Sequence, residues 1–350
     1  MKLGKFGEPQ LKRSILKGMQ DNNDVVLSKA QVGVDAVVLH AIDGQMVTTT
    51  TTVSMPIQRP AYLAVVKAMN NLYVAGATPR GIMLAITVPE HFNESKVRVL
   101  VDEAKCTLAK WENVSLLGGH TELSTHVSCP IISVTALGVT DCGFSQKALS
   151  EMVPDMDIIM TKWTGMEATY LLAENHYEEL CERFSKSYID LALSFGDHIS
   201  VSTETSVLKK QGIHAMHDVS TGGVFAGIWE LLEPSGLGCR VDLKQIPIKQ
   251  ETIELAEYFN ENPYMLTGAG SLLAVVADGQ AIVEQLAEHD IFAAVIGKTT
   301  KAKQRAVCIE IEEEGEWIDT AKTRRRKAVE ERYLIPPQSD AIYTLLSDIK

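Results

Sequence analysis

The pattern of apolar and polar residues in the first half of the chain predicts strands interleaved with helices. Asp43-Gly44 is a two-residue hairpin signal, and it lies between a β-branched run and five consecutive threonines. Apolar residues recur at helical spacing after Pro60, and Gly76 follows where that helix would end. In chain order, the predicted elements are strands at 32–39 and 46–52, a helix between Pro60 and Gly76, a strand at 81–88, a helix capped by Asn93, and strands at 114–117 and 130–140.

The second half begins after a stretch rich in Gly, Ser, Lys and Pro at about 141–154, where we place a domain boundary. Strand-like and helix-like runs alternate beyond it, so the pattern is mixed α/β. The predicted strands are 157–161, 213–216, 241–243, 271–277, 293–297 and 307–311, and the predicted helices begin near 166 and then cover 177–194, 202–210, 224–232, 251–260, 280–289 and two segments within 320–349.

One polar cluster follows the apolar run Val114–Leu117, which is typical of a buried strand. The run stops at Gly118-Gly119, and His120-Thr121-Glu122 follow at once. Glycines allow close backbone approach to a ligand, and ligands gather at strand ends in α/β proteins. The alternative is an ordinary Gly-Gly turn with solvated polar residues.

A second polar cluster, His217-Asp218, follows the predicted strand at 213–216 and precedes Gly222-Gly223. This pair is compatible with proton transfer, with metal or phosphate binding, or with a helix cap. The turn at 162–165 leads into a helix N-terminus, which suits a phosphate but also occurs as a plain turn. Asn70-Asn71 interrupt a helix in which asparagine is unfavourable, and either a ligand role or simple packing accounts for them.

Composition and charge narrow the function classes. The 350 residues are 45% hydrophobic and carry a net charge of −12, which disfavours a broad nucleic-acid or anionic-membrane surface. No apolar run is long enough to span a membrane, and the N-terminus lacks a signal-peptide core, so we expect a cytoplasmic protein. The six cysteines are scattered, which favours reduced structural thiols over disulfides or a zinc site.

Five motifs in order resemble the aminoimidazole ribonucleotide synthase (PurM-like) superfamily. Within it, the start Met1-Lys2-Leu3-Gly4-Lys5 is similar to the synthase-related and hydrogenase-maturation branch. The motifs are Gly33-Val34-Asp35-Ala36, Thr50-Thr51, Asn70-Asn71 with the segment 75–79, Gly118-Gly119-His120-Thr121-Glu122, and His217-Asp218 with Thr221-Gly222-Gly223.

The resemblance implies a two-domain α/β fold and a homodimer whose N-terminal strands form a β-barrel across the interface. It also implies ATP with Mg²⁺ as cofactors and a nucleotide or phosphorylated small molecule as ligand. The expected organisation is an N-terminal arm at 1–31, an ATP-binding and dimerisation domain at 32–142, a C-terminal α/β domain at 153–310, and a helical tail at 311–350.

The resemblance also assigns roles to individual residues. Thr51 and Asn71 stand where many members have aspartates, and neutral oxygens bind Mg²⁺ less well than carboxylates. The last cysteine is Cys308, so the terminal-cysteine route of the carbamoyl-dehydrating members is not expected. The implied metal ligands are Asp35, Glu122 and Asp218; the implied nucleotide-binding residues are these three with Thr51, Asn71, Gly118, Gly119, Thr121, Gly222 and Gly223; and His120 and His217 are the implied proton-transfer residues.

The leading hypothesis is therefore ATP-dependent activation of an amide or carboxylate oxygen by phosphorylation. The missing carboxylates motivate an alternative from a different class, a catalytically silent dimer that binds a metabolite or a protein partner. A third possibility is a true purine-pathway synthase.

Overall fold

The protein is described by a computed structural model. The described residues are 37–41, 44–140, 151–213, 215–314, 325–337 and 340–346. The predicted N-terminal arm, the first part of the predicted strand at 32–39, and Asp35 lie outside these ranges.

The first half has the predicted order of strands and helices. Its five strands form one sheet in the order β1-β2-β5-β3-β4, in which the pair β3 and β4 is parallel and the other pairs are antiparallel. The elements are β1 (Val37–Ala41), β2 (Gly44–Val53), α1 (Pro60–Val74), β3 (Thr78–Pro89), α2 (Glu94–Leu108), β4 (Ser115–Ser124) and β5 (Ile131–Thr140).

Local sequence signals account for most of these boundaries. Pro60 occupies the first turn of α1, and Gly76 follows its end with a φ of 72°. The Asn93 side chain accepts a hydrogen bond from Lys96 N–H and caps α2, as predicted. In the threonine run, side chains alternate between the helix-covered face and the outer face of the sheet, which is the periodicity of a strand.

The second half forms a seven-stranded sheet in the order β12-β11-β8-β10-β6-β9-β7. Its strands are β6 (Asp157–Thr161), β7 (Met216–Asp218), β8 (Gly238–Asp242), β9 (Leu272–Val276), β10 (Ala293–Thr300), β11 (Arg305–Glu314) and β12 (Arg325–Tyr333). Its helices are α3 (Met166–Asn175), α4 (Tyr177–Cys181), α5 (Lys186–Ser194), α6 (Ser202–Lys210), α7 (Gly223–Leu232), α8 (Gln250–Tyr258), α9 (Gly279–Ala287) and α10 (Ile342–Leu345).

The sequence predicts two helices within 320–349, and this is wrong for residues 325–333. Residues 325–333 form β12, and only α10 is helical. β12 pairs with β11 so that the basic residues Arg325 and Lys327 stand opposite Glu314 and Glu312. Pairing with the edge of a sheet is a long-range effect that outweighs local helix propensity.

One hydrophobic core joins the two halves. It contains buried residues of α1, α3 and α10 together with Ile199 and Leu266. Hydrogen bonds also join the two halves. The Tyr62 hydroxyl of α1 donates to Gly196 O in the second half at 2.6 Å. The Asn70 side chain donates to Ile199 O and accepts from Val201 N–H. Asn70 is therefore a buried packing residue, one of the two roles left open for it.

Two predictions from composition concern the described residues. Cys106, Cys129, Cys181, Cys239 and Cys308 are all free thiols, as expected. Across the described ranges, every helix is too short or too polar to cross a membrane.

Candidate functional site

A buried ion pair lies where α1 meets the C-terminal half. Lys67 Nζ donates to both carboxylate oxygens of Glu167, at 2.8 and 3.1 Å. Glu167 is fully buried and also accepts from the Thr267 hydroxyl and from Ala269 N–H. A buried carboxylate with this many donors is held in one geometry.

The surroundings of Lys67 keep its ammonium charged. Burial is the largest single influence and lowers the pKa of Lys67, but the Glu167 carboxylate and other nearby groups together outweigh it, so the net shift is upward. Tyr343 and Asp218 contribute in the same direction. Lys67 therefore carries a positive charge between acidic groups from different parts of the chain.

The glycine loop before α7 lies beside this ion pair. Gly222 and Gly223 have φ values of 88° and 68°, which favour glycine. Gly222 N–H donates to Asp340 Oδ2 at 2.8 Å, and the other Asp340 oxygen accepts from Ile342 N–H at 3.0 Å. One carboxylate from the end of the chain thus satisfies backbone groups of both α7 and the segment that forms α10.

Asp340 interacts electrostatically with the same ion pair. Burial raises its pKa to about 6, although the two N–H donors and Lys67 act in the opposite direction. Glu167 adds to the upward shift. We call Lys67, Glu167, Asp218 and Asp340 the interdomain cluster, because they bring charge from both halves to one buried place.

His217 and Asp218 lie inside β7, which is three residues long, and not in a loop after a strand as predicted. Both are buried. His217 Nδ1 donates to Asp218 O at 2.7 Å, and its Nε2 lies 3.7 Å from Glu230 Oε2. The backbone bond fixes the tautomer with the proton on Nδ1, since a carbonyl only accepts.

Asn71 lies one helical turn after Lys67 on α1. Its side-chain amide donates to Thr49 Oγ1 at 3.1 Å. Thr51 is two residues further along β2, so it shares the helix-covered face of the sheet with Thr49. The structure therefore places Thr51 and Asn71 on the same side of the sheet.

The predicted end of a strand at Gly118-Gly119 is wrong. β4 continues through both glycines, pairs with β3, and forms an exposed edge of the sheet instead of a buried strand. The side chains of His120 and Glu122 point outward, and His120 Nε2 lies 3.3 Å from Glu122 Oε2. The other Glu122 oxygen accepts a hydrogen bond from the Thr87 hydroxyl. Thr121 lies between them in the strand, so its side chain points to the opposite face.

Close strand pairing explains one of the two glycines. A Cβ atom at Gly119 would collide with the Leu84 carbonyl of β3, whereas one at Gly118 would meet nothing within 4 Å. The run Gly118–Glu122 was predicted to face a ligand together with the second polar cluster. Instead, its acidic and imidazole side chains lie on the outer face of the N-terminal sheet, while Asp218 belongs to the buried interdomain cluster.

These neighbouring glycines allow a matched comparison. We expect Gly119→Ala to lower the free energy of unfolding by about 1–3 kcal/mol, because the new methyl group separates β4 from β3. Gly118→Ala should change it by less than about 0.5 kcal/mol. Urea denaturation of both variants measures the difference, and equal losses would contradict the close approach at Gly119.

Among the described residues, no three His, Cys, Asp or Glu side chains are arranged to hold one metal ion. Glu122 and Asp218, two of the three implied ligands, lie in different sheets. The third, Asp35, lies outside the described ranges. The described residues therefore do not form the Mg²⁺ site that the motifs imply.

The sequence interpretation missed Lys67, Glu167 and Asp340. The sequence did contain an indication of Lys67, since it is the sole charged residue of α1. Glu167 likewise stands in the first turn of α3 among apolar neighbours. Asp340 had no such signal, because its partner Gly222 is 118 residues away.

The fold and the site together define a class of two-domain α/β proteins with a buried cluster of charged residues between the domains. Within that class, the chain belongs to the AIR synthase related protein family. The model of that family's N-terminal domain matches residues 25–140, and the model of its C-terminal domain matches residues 158–309.

Several known proteins are similar over most of their length. A hydrogenase expression/formation protein of Methanocaldococcus jannaschii is 27% identical over 252 residues, which is 71% of this chain and 72% of that protein. Carbamoyl dehydratase HypE of Rhodobacter capsulatus is 23% identical and covers 67% of this chain and 68% of its own. The solved structure of hydrogenase maturation protein HypE in complex with ATP shares the fold, with a TM-score of 0.66, 15% identity and 96% coverage of both chains.

Proposed function

We propose that this protein binds ATP and uses it to activate an amide or carboxylate oxygen of a small substrate by phosphorylation. Membership of the AIR synthase related family over both halves carries this proposal. Relatives named as carbamoyl dehydratases, and an ATP complex of a protein with the same fold, support it. These similarities favour an ATP-dependent enzyme over a catalytically silent dimer.

The interdomain cluster supplies groups suited to a phosphoryl ligand. Gly222 N–H, at the start of α7, donates to the Asp340 carboxylate, and an amide in this position can also donate to a phosphoryl oxygen. Lys67 adds a positive charge whose interactions are strengthened because its side chain is largely buried. When bound, ATP would supply the phosphoryl group, and these residues would orient it and balance its charge.

Our proposal assigns Mg²⁺ no step, because Glu122 and Asp218 lie in different sheets. A direct test is to replace Thr51 by aspartate, which restores a carboxylate on the helix-covered face. Thr52→Asp is the matched control, since Thr52 lies on the outer face and bonds to Ser133. Tighter Mg²⁺ binding in calorimetry by Thr51→Asp alone would support an eroded metal site; no gain would count against one.

Calorimetry with ATP, with and without Mg²⁺, tests the proposed function. Binding followed by the appearance of ADP and phosphate in ³¹P NMR, when carboxylate or carboxamide compounds are added, is the expected result. Absence of nucleotide binding in both conditions would reject the proposal. Binding without cleavage would leave a nucleotide-binding protein and remove the enzymatic part.

We also propose a homodimer formed through the N-terminal sheet, with 32–142 as the dimerisation domain and 153–310 as the second domain. β4 is the last strand of its sheet, so one side of its backbone is available for pairing. Met83, Leu117 and Leu123 expose 48%, 59% and 58% of their surface there. Apolar groups beside an open strand edge suit a second copy of the chain.

Charge placed on this edge should weaken the dimer. We expect Leu117→Glu to raise the dimer dissociation constant about tenfold or more, because a carboxylate would have to be buried at the interface. Val99→Glu is the control, since Val99 is 64% exposed and belongs to α2 and not to the edge strand. Sedimentation equilibrium measures both variants, and an unchanged constant for Leu117→Glu would place the interface elsewhere.

A further inference from the structure

A cavity of about 400 Å³ lies between α7 and the last two strands of the C-terminal sheet. Its lining is mostly apolar and comes mainly from α7, the short helical turn Pro263–Met265, the paired strands β11 and β12, and the residues that follow β12. Pockets for small organic ligands are typically about 300–1,000 Å³ and are likewise lined mostly by apolar and aromatic side chains. The cavity therefore has the size and the surface of a ligand pocket.

Two nearly parallel aromatic rings form part of this lining. The ring centroids of Phe225 and Tyr264 are 5.4 Å apart, and the ring planes differ by 13°. Both side chains are only partly buried. Offset stacking is a preferred arrangement of aromatic rings, so this pair suits a further flat ring. Met265, which is 40% exposed, adds a polarizable thioether to the same cavity.

One cation stands beside the rings. Among the described residues that line the cavity, Arg332 is the sole charged one. Arg332 pairs with Val307 across β11 and β12, and Val307 also lines the cavity, so both lie on the cavity face of the sheet.

The Arg332 guanidinium is engaged only by an exposed ion pair. Its Nε donates to Glu330 Oε1 at 2.9 Å, and the two side chains are 70% and 42% exposed. Exposed pairs of this kind contribute little. A guanidinium also presents several N–H groups in a planar fork, which matches the two oxygens of a ligand carboxylate.

We propose that this cavity binds a small planar aromatic carboxylate, whose ring extends the stack of Phe225 and Tyr264 and whose carboxylate pairs with Arg332. The apolar lining disfavours a strongly hydrated ligand, and the single cation favours an anion over an amine. Gly222 borders the cavity, but its amide donates to Asp340 and takes no part in this binding. The inference goes beyond the proposed function and does not depend on ATP.

Calorimetric titration with indole-3-carboxylate and indole-3-carboxamide tests the assignment, because these probes share a ring and differ in charge. We expect the unmodified protein to bind the carboxylate about fivefold or more tightly than the carboxamide, since charge-assisted hydrogen bonds are the stronger ones. Arg332→Gln should abolish this preference while changing the affinity for the carboxamide by less than about twofold.

Arg240→Gln is the matched control. Arg240 is 58% exposed and pairs with Glu331, the neighbour of Arg332 on the opposite face of β12, and it does not line the cavity. This variant should bind both probes as the unmodified protein does. Glu330→Gln removes the carboxylate that competes for Arg332, so it should bind indole-3-carboxylate more tightly.

The contribution of the rings is tested by Tyr264→Leu, which should bind both probes about threefold or more weakly because one stacking surface is lost. If that variant fails to fold, the arginine variants carry the test, since they change exposed side chains. Equal affinities of the two probes for the unmodified protein, no binding of either, or the same loss in Arg240→Gln as in Arg332→Gln would overturn the inference. No nucleotide is present in these titrations, so their failure leaves the proposed function standing, and a failure of ATP binding leaves this inference standing.

Discussion

Replacing Lys67 by methionine is expected to lower the free energy of unfolding by about 3–5 kcal/mol, the usual cost of leaving one partner of a buried ion pair without the other. Glu167 is fully buried and would keep only the Thr267 hydroxyl and Ala269 N–H of its present donors. Methionine preserves most of the volume of the lysine stem, so the loss reports charge and not packing. Urea denaturation followed by circular dichroism measures it.

The double variant Lys67→Met with Glu167→Met is the control for this prediction. It removes both charges, and apolar replacements of a complete buried pair are often neutral. We therefore expect it to recover most of the lost stability. A double variant as unstable as the single one would mean that the site depends on packing around the pair and not on the unpaired carboxylate.

Asp340→Asn is expected to remove a pH dependence of stability that the unmodified protein shows between about pH 4 and pH 6. Burial raises the pKa of Asp340 from 3.8 to about 6, so the folded state binds this proton more tightly than the unfolded state. Its contribution is then fully present below pH 4 and is lost as the pH rises through about 6. A difference of about two pKa units corresponds to about 3 kcal/mol.

The quantity to compare is the stability of the unmodified protein minus that of Asp340→Asn at each pH. This difference is needed because Lys67 and Glu167 act on the same carboxylate and other acids titrate in this range. Urea denaturation of both proteins at intervals from pH 4 to pH 8 gives that difference. We expect the stability of the unmodified protein relative to Asp340→Asn to fall with rising pH and to level off above about pH 7. A difference independent of pH would show that the carboxylate is not buried.

Sequence alone was sufficient for elements whose limits depend on nearby residues. Pro60 and Gly76 bracket α1, and Asn93 begins α2, because caps and turns are made by the residues themselves. It was insufficient for β4 and β12. Both are edge strands, and whether an edge strand forms depends on a partner far away in the chain.

The residues of the candidate site also differ in whether a local sequence pattern could indicate them. Gly222 and Gly223 were named from the family resemblance, and both have the left-handed backbone that favours glycine, which is a local requirement. Gly119 was named as a ligand-binding glycine, and the structure shows that it makes room for the Leu84 carbonyl of β3. The pair formed by Lys67 and Glu167, 100 residues apart, exists only after α1 and α3 have packed together. No local pattern reports such a pair.

The hydrogen bond between Gly222 and Asp340 also bears on how the protein is made. Its two partners are 118 residues apart, and Gly222 precedes Asp340 in the chain. On a ribosome, α7 and its glycine loop would emerge well before their carboxylate partner. During that interval, the Gly222 amide would be hydrated and α7 would lack the carboxylate that bonds to it in the folded protein.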